Sequence, residues 1–293
     1  MCQSAKIIEL WMISCYNEDK KNSLIIERTV SMFGGFFNRM YYGNPNKPDL
    51  KYEDLKKRRF KLFFTVLQVR FWKLIQLNLL YSIFVLPTFL WIYIQTLVTA
   101  ETGEPITLLF FLILLPCMLF AGPATAGVTY VIRNWARDEH AWVFSDFKDA
   151  IKMNWKESLL IMFINCVVLM FFYVAVTFYH AMAMTDLLYL FLYYFMLLIG
   201  LIYAMMQIYV FPLLVTYKLN VGQIFRNAFI FTLGRLPHTF GIFVLMVAVF
   251  IASAWYIFPM FLVGFTFPML IGVSLANWVF DKYMNARLDE DEE

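Results

Sequence analysis

The polar side chains inside the long apolar runs of this chain are amides and hydroxyls, with no Asp, Glu, Lys, Arg or His among them. Proton relays and cation sites at membrane depth are built from ionisable groups. The chemistry predicted here is therefore hydrogen bonding, either between helices or to a bound ligand. The candidate residues for ligand contact or helix packing are Asn78, Gly122, Pro123, Thr125, Asn165 and Gln207.

The most unusual local sequence is Gly122-Pro-Ala-Thr-Ala-Gly127, which follows Pro116 in the same apolar run. Proline removes an amide donor and glycine loosens a helix, so a kink or a broken helix is expected here. Broken helices bind substrates in some transporters. Small residues also allow neighbouring helices to approach closely, and the sequence leaves both interpretations open.

Residue types that are typical of catalytic or metal sites do not cluster in this sequence. His140, His180 and His238 fall in different connections, and the cysteines form no CxxC pair. The chain has no Gly-rich phosphate loop and neither a GxSxG nor an HExxH motif. We therefore predict no catalytic residue, no metal site and no cofactor, and we expect that the protein is not an enzyme.

Composition indicates the elements that carry these residues. The chain is 61% hydrophobic and 15% charged, whereas soluble domains are about 45 to 50% apolar and about 25% charged. Six charge-free runs are near or above the roughly 20 residues that cross a bilayer. The last two runs are contiguous, and Pro259 is the expected turn between them. The fold class predicted is an all-α, polytopic transmembrane bundle whose spans are Leu74–Val98, Ile106–Ile132, Ser158–Tyr179, Leu187–Tyr217, Phe240–Phe258 and Pro259–Phe280.

Orientation follows from the cations, because Lys and Arg are retained on the cytoplasmic side during insertion. With six spans, all 24 Lys and Arg lie on one side, which places both termini in the cytoplasm. Five spans would move Lys282 and Arg287 outside. The net charge of +3 gives no sign of nucleic-acid binding.

The connection from Phe144 to Trp155 is predicted to be a short amphipathic helix, with Phe144, Phe147, Ile151 and Trp155 on one face. That face would lie on the inner leaflet or against the bundle. Similar short segments surround Phe225 and Phe63 and suggest three units, each a short helix followed by a helical hairpin. Apolar and basic residues recur near any membrane boundary, so chance similarity is the alternative.

Several stretches resemble the YesL family of bacterial integral membrane proteins. They are Leu77-Asn78 to Leu86-Pro87, Gly122 to Thr125, the connection from Arg133 to Ser158, and Met32 to Gly43. The resemblance covers roughly residues 32–284. It implies a plasma-membrane protein of a Gram-positive bacterium, from a family without an established molecular function that is associated with carbohydrate uptake.

The domains expected are an N-terminal extension at 1–31, a basic juxtamembrane segment at 32–73, the six-helix domain at 74–280 and an acidic tail at 281–293. Residues 1–31 lack a clear apolar period, and Met32 matches the start of the resembled family. The extension is therefore either misassigned upstream sequence or a short amphipathic helix.

The leading functional hypothesis is a membrane protein that assists or regulates a carbohydrate-uptake system. Its expected partners are the lipid bilayer and another membrane protein of that system, with no nucleic acid. The rival hypothesis is a small-molecule transporter that uses a kinked second span as its binding element.

Overall fold

The computed structural model describes residues 59–103, 106–183, 186–255 and 259–285. Over these ranges the chain is all-α, without a strand. Six segments are long and apolar enough to cross a membrane, which confirms the predicted fold class of a polytopic helical bundle. The helices are α1 Arg59–Val69, α2 Phe71–Thr102, α3 Leu108–Ala136, α4 Val143–Met182, α5 Leu187–Thr216, α6 Val221–Gly234, α7 Leu236–Trp255 and α8 Thr266–Phe280.

Two π-helical turns accompany the last span. One, Met260–Gly264, precedes α8, and the other, Asp281–Asn285, follows it. The sixth span therefore runs from Met260 to Tyr283. Helix α1 is described by itself, because the chain divides into two compact units at Phe71 and Trp72. The predicted extension at 1–31 lies outside the described residues, as do most of the juxtamembrane segment at 32–73 and most of the acidic tail at 281–293.

The long apolar stretch at the end of the chain forms two spans, as Pro259 predicted. Helix α7 ends at Trp255, and Pro259 stands directly before the π-helical turn with φ −61° and ψ −32°. These angles are helical, so the fixed φ of proline suits the start of the sixth span. The split supports six spans rather than five.

The broken helix expected near Gly122 is not found. Helix α3 continues unbroken from Leu108 to Ala136 with Pro116 and Pro123 inside it. Each proline removes one amide donor, and transmembrane helices tolerate this because neighbouring groups satisfy the freed carbonyl. The departure from regular α-helical hydrogen bonding lies instead in the π-helical turn at the start of the sixth span.

The buried residues of the bundle are concentrated near those ends of the spans that carry the Lys and Arg residues. In α5 the buried residues run from Met205 to Val215, whereas every described residue from Leu187 to Ala204 is half-buried or exposed. Tyr209, Leu213 and Phe280 form part of the same buried cluster. Helix packing is therefore tightest in one half of the bilayer, and the polar residues discussed below lie within that packing or beside it.

The predicted amphipathic connection is the first part of α4. Asn154 has a non-helical backbone (φ −116°, ψ 15°), which kinks the helix where the connection meets the span. Phe147 is buried, while Phe144 and Trp155 are 68% and 47% exposed. One aromatic residue of the predicted face thus packs into the bundle, and two point away from it.

The same order of elements, a short helix followed by two spans, occurs three times along the chain. The three units are α1 to α3, then α4 to α5, where the short helix is the first part of α4, and finally α6 to the last span. Corresponding positions in the three short helices are Val66, Ala150 and Ala228, and all three are buried. This agreement supports the predicted internal repeat at the level of element order and burial.

Candidate functional site

The π-helical turn at the start of the sixth span is bound by one side chain from the first span. The Asn78 amide nitrogen donates to the carbonyl oxygens of Met260 at 3.1 Å and Phe261 at 2.7 Å. Its amide oxygen accepts from the backbone N–H groups of Phe265 and Thr266, both at 3.0 Å. Asn78 is fully buried.

This arrangement follows from the demands of a backbone in hydrocarbon. A π-helical turn interrupts the regular pattern of helical hydrogen bonds, and an unsatisfied peptide group costs several kcal/mol in the bilayer core. An asparagine amide has two donors and an acceptor oxygen with two lone pairs. At Asn78 both donors and the acceptor are used by the backbone of the sixth span, so this amide has no unused donor for a ligand.

A second layer of contacts joins Asn78 to α3. The Tyr81 hydroxyl and the Thr125 hydroxyl are hydrogen-bonded at 2.9 Å, and both residues are buried. The Tyr81 ring packs edge-to-face on Phe265, with 5.7 Å between centroids. We call Asn78, Tyr81, Thr125, Phe265 and Thr266 the Asn78 cluster. It connects the first, second and sixth spans.

Asn165 and Gln207 form a separate group between α4 and α5. The Asn165 amide nitrogen donates to the Gln207 side-chain oxygen at 3.2 Å, and the Tyr203 hydroxyl donates to the Asn165 oxygen at 2.5 Å. The Gln207 amide nitrogen is buried and has no hydrogen-bond partner. The four amide and hydroxyl candidates thus fall into two places: Asn78 and Thr125 belong to the Asn78 cluster without bonding to each other, and Asn165 is hydrogen-bonded to Gln207.

Gly122 lies where α3 approaches α4. A Cβ at this position would come within 3.0 Å of the Ser158 carbonyl oxygen and 2.9 Å of the Met162 side chain. Glycine is therefore required for this close approach. Pro123, the next residue, is half-buried within the helix. The same reasoning applies to Gly127, whose Cβ would lie 2.7 Å from the ring of Phe147.

Sequence reasoning missed a polar group at the cation-bearing ends of α3, α5 and α8. Arg133 donates to the Val215 carbonyl oxygen at 3.1 Å and pairs with Glu139 at 3.5 Å. Arg137 pairs with Asp281 at 3.4 Å. The sequence interpretation assigned these arginines to topology alone. The available signal was their spacing of four residues, which predicts neighbouring positions at the end of α3, where Arg137 is the residue that follows the helix.

Comparison with known proteins adds one match. Residues 74–176 match the family model of a protein of unknown function, DUF624. The matched region contains Asn78, Thr125 and Asn165 but ends before the sixth span, whose backbone Asn78 binds. No curated protein matches the chain, and no solved structure matches it. The finer resemblance to the YesL family stays a prediction.

The chemistry available in the two groups is hydrogen bonding between helices. The polar atoms belong to neutral amides, hydroxyls and peptide groups, which can hold helices in register or contact a polar ligand but do not exchange protons readily. In the Asn78 cluster the hydrogen bonds run between spans, so its geometry favours a structural joint.

Proposed function

We propose that this multi-pass membrane protein is a non-enzymatic accessory or regulatory component of a carbohydrate-uptake system, acting through contacts with another membrane protein. The observation that carries the proposal is that both amide donors and the amide oxygen of Asn78 are bonded to the backbone at the π-helical turn of the sixth span. In transporters with discontinuous helices, the backbone groups at the break contact the substrate or its coupling ion. Here two carbonyls and two N–H groups at the break are already bonded to Asn78.

The six charge-free apolar runs also hold no carboxylate or histidine that could couple transport to protons. This favours a role that depends on packing over one that depends on proton movement. The connection to carbohydrate uptake rests on the YesL resemblance, and it identifies the class of partner to look for.

The test combines purification from native membranes with reconstitution. We expect the tagged protein, solubilised in mild detergent, to carry a carbohydrate permease in a fixed ratio. A point variant with an unchanged fold, such as Gln95→Ala, is the matched control for expression and extraction. We also expect the purified protein alone in liposomes to show no saturable uptake of labelled sugars.

Small-molecule transport is the second candidate, and the π-helical turn at Met260–Gly264 favours it. The π-helical turn would add the sixth span to the binding element, beside the second span, whose expected kink stays a prediction. Saturable sugar uptake by the protein alone, reduced by an Asn78 variant that still folds, would establish this candidate and overturn the accessory role.

We further propose that the protein resides in a bacterial plasma membrane with both termini in the cytoplasm. Reporters inserted near Asp138 or Asn220, or fused after Glu293, should report cytoplasm. Reporters near Gly103 and Thr185 should report the exterior. The physical reason is that all 24 Lys and Arg lie on the first side. An exterior C-terminal reporter would contradict this orientation.

A further inference from the structure

Arg235 stands at the junction of α6 and α7, where the chain turns from a short helix into the fifth span. Helix α6 ends at Gly234, Arg235 leaves the helical conformation (φ −130°, ψ 34°), and α7 begins at Leu236. Pro237 lies in the first turn of α7, where no amide donor is needed. The guanidinium is therefore placed at the cation-bearing end of the bundle.

Two aromatic rings from the sixth span hold the guanidinium of Arg235 in place. Its central carbon lies 5.2 Å from the centroids of both Trp278 and Tyr283. Its Nε donates to the Tyr283 hydroxyl at 2.6 Å. This hydrogen bond uses the inner nitrogen, so the two terminal nitrogens are left to present parallel N–H groups.

The surroundings of Arg235 are basic. The Lys282 ammonium lies 5.9 Å from the Tyr283 ring, and the His238 ring lies 5.4 Å from that of Trp278. Within the described part of the chain, Arg235 and Lys282 have no carboxylate partner, since the ion pairs there join Arg133 to Glu139 and Arg137 to Asp281. A positive charge held by aromatic faces without a counter-ion is suited to binding an external anion.

The apolar residues beside Arg235 indicate what kind of anion this is. Leu233 and Leu236, which flank it in the chain, are 44% and 40% exposed, and Phe240 one turn further is 44% exposed. A soluble phosphate compound would gain nothing from this apolar surface. A phospholipid would place its phosphate on the guanidinium and its chains along the start of the fifth span.

We propose that Arg235, supported by Trp278 and Tyr283, binds the phosphate group of an anionic membrane phospholipid. A planar guanidinium binds phosphate through two parallel hydrogen bonds, which a lysine ammonium cannot reproduce. If Arg235 only placed a positive charge at the membrane surface, a lysine at this position would serve equally well. Replacement by lysine separates these two roles.

The experiment measures phospholipid binding to the full chain purified in detergent. Native mass spectrometry gives the occupancy, and the thermal unfolding midpoint is followed as phosphatidylglycerol or phosphatidylcholine is added. For the wild type we expect one retained phosphatidylglycerol and an unfolding midpoint that rises with phosphatidylglycerol only. Charge-assisted hydrogen bonds of this kind correspond to about a tenfold or greater loss of affinity when removed.

The variants are Arg235→Gln, Arg235→Lys and Tyr283→Phe, with Arg226→Gln as the matched control. Arg226 is an exposed arginine on α6 at the same end of the bundle. We expect about a tenfold loss with Arg235→Gln and nearly as much with Arg235→Lys. Tyr283→Phe should cause a smaller loss because it frees the guanidinium without removing it, and Arg226→Gln should have no effect.

Three results would overturn the proposal. The first is wild-type affinity in Arg235→Lys, which would reduce the site to a general surface charge. The second is an equal loss in Arg226→Gln. The third is equal stabilisation by glycerol 1-phosphate, which would assign the site to a soluble phosphate. Each variant is first checked for wild-type helicity and a single species in gel filtration, so that a folding defect is recognised as such.

Discussion

Replacing Asn78 with alanine should destabilise the bundle more than any other single change to an amide within its spans. The substitution removes four hydrogen bonds, all at 3.1 Å or less, that join the first span to the backbone of the sixth. The peptide groups they satisfy belong to the π-helical turn or directly follow it. No other side chain in the described residues bonds to these four groups.

The magnitude follows from the number of bonds and from their surroundings. Hydrogen bonds between transmembrane helices average about 0.6 kcal/mol, so four give about 2.4 kcal/mol. Leaving buried peptide groups unsatisfied adds roughly 1 to 3 kcal/mol. We therefore expect the free energy of unfolding to fall by about 3 to 5 kcal/mol.

The assay is equilibrium unfolding in mixed micelles, followed by circular dichroism as the fraction of denaturing detergent rises. Gln95→Ala is the matched control. Gln95 lies on the same helix, is half-buried, and bonds within that helix to the Thr99 hydroxyl at 3.3 Å. Its loss should change the unfolding free energy by less than about 0.5 kcal/mol.

A result for Asn78→Ala equal to that for Gln95→Ala would refute the reasoning. It would mean that the sixth span rewinds into a regular helix when the asparagine is absent, so that its peptide groups satisfy one another. Cysteine pairs across the first and sixth spans, tested for disulfide formation in both variants, would show whether the spans remain in register.

Two glycine substitutions and one double-mutant cycle test the packing and the electrostatics of the bundle. Gly127→Ala should lower the unfolding free energy by about 1 to 3 kcal/mol, because the new Cβ would lie 2.7 Å from the aromatic ring packed there. Gly222→Ala, with nothing within 4 Å, should be neutral or stabilising by up to about 1 kcal/mol, and both variants are measured by the same equilibrium unfolding in mixed micelles. The half-buried pair formed by Arg137 and Asp281 should show a coupling energy below about 1 kcal/mol in a double-mutant cycle, since ion pairs that water still reaches contribute little. A destabilised Gly222→Ala or a coupling of several kcal/mol would contradict these expectations.

The number of candidate spans could be predicted from the sequence because it depends on local composition. A run of about 20 apolar residues without charge must lie in the bilayer wherever the other runs are placed. The same holds for the first part of α4, whose apolar residues recur at helical spacing. Even the split at Pro259 is local, since one proline marks where the sixth span begins.

The position of the broken helix could not be predicted in this way. Pro116, Gly122 and Pro123 suggested a break in the second span, but local helix breakers are tolerated when the surrounding helices satisfy the freed groups. The π-helical turn at Met260–Gly264 is bound by an asparagine 182 residues earlier in the chain than Met260. Nothing in the sequence near Met260 specifies that partner.

For Asn78, one property follows from the sequence and another from the tertiary structure. Its presence in an apolar run was enough to mark it as a candidate, because a buried amide in hydrocarbon must find hydrogen-bond partners. Which partners it finds depends on how the first and sixth spans pack. The sequence alone determined that these amides must find hydrogen-bond partners inside the membrane. Only the tertiary structure decided that Asn78 bonds to backbone groups, while Asn165 bonds to Gln207. The reason is that hydrogen bonds between distant helices depend on the relative rotation and depth of those helices.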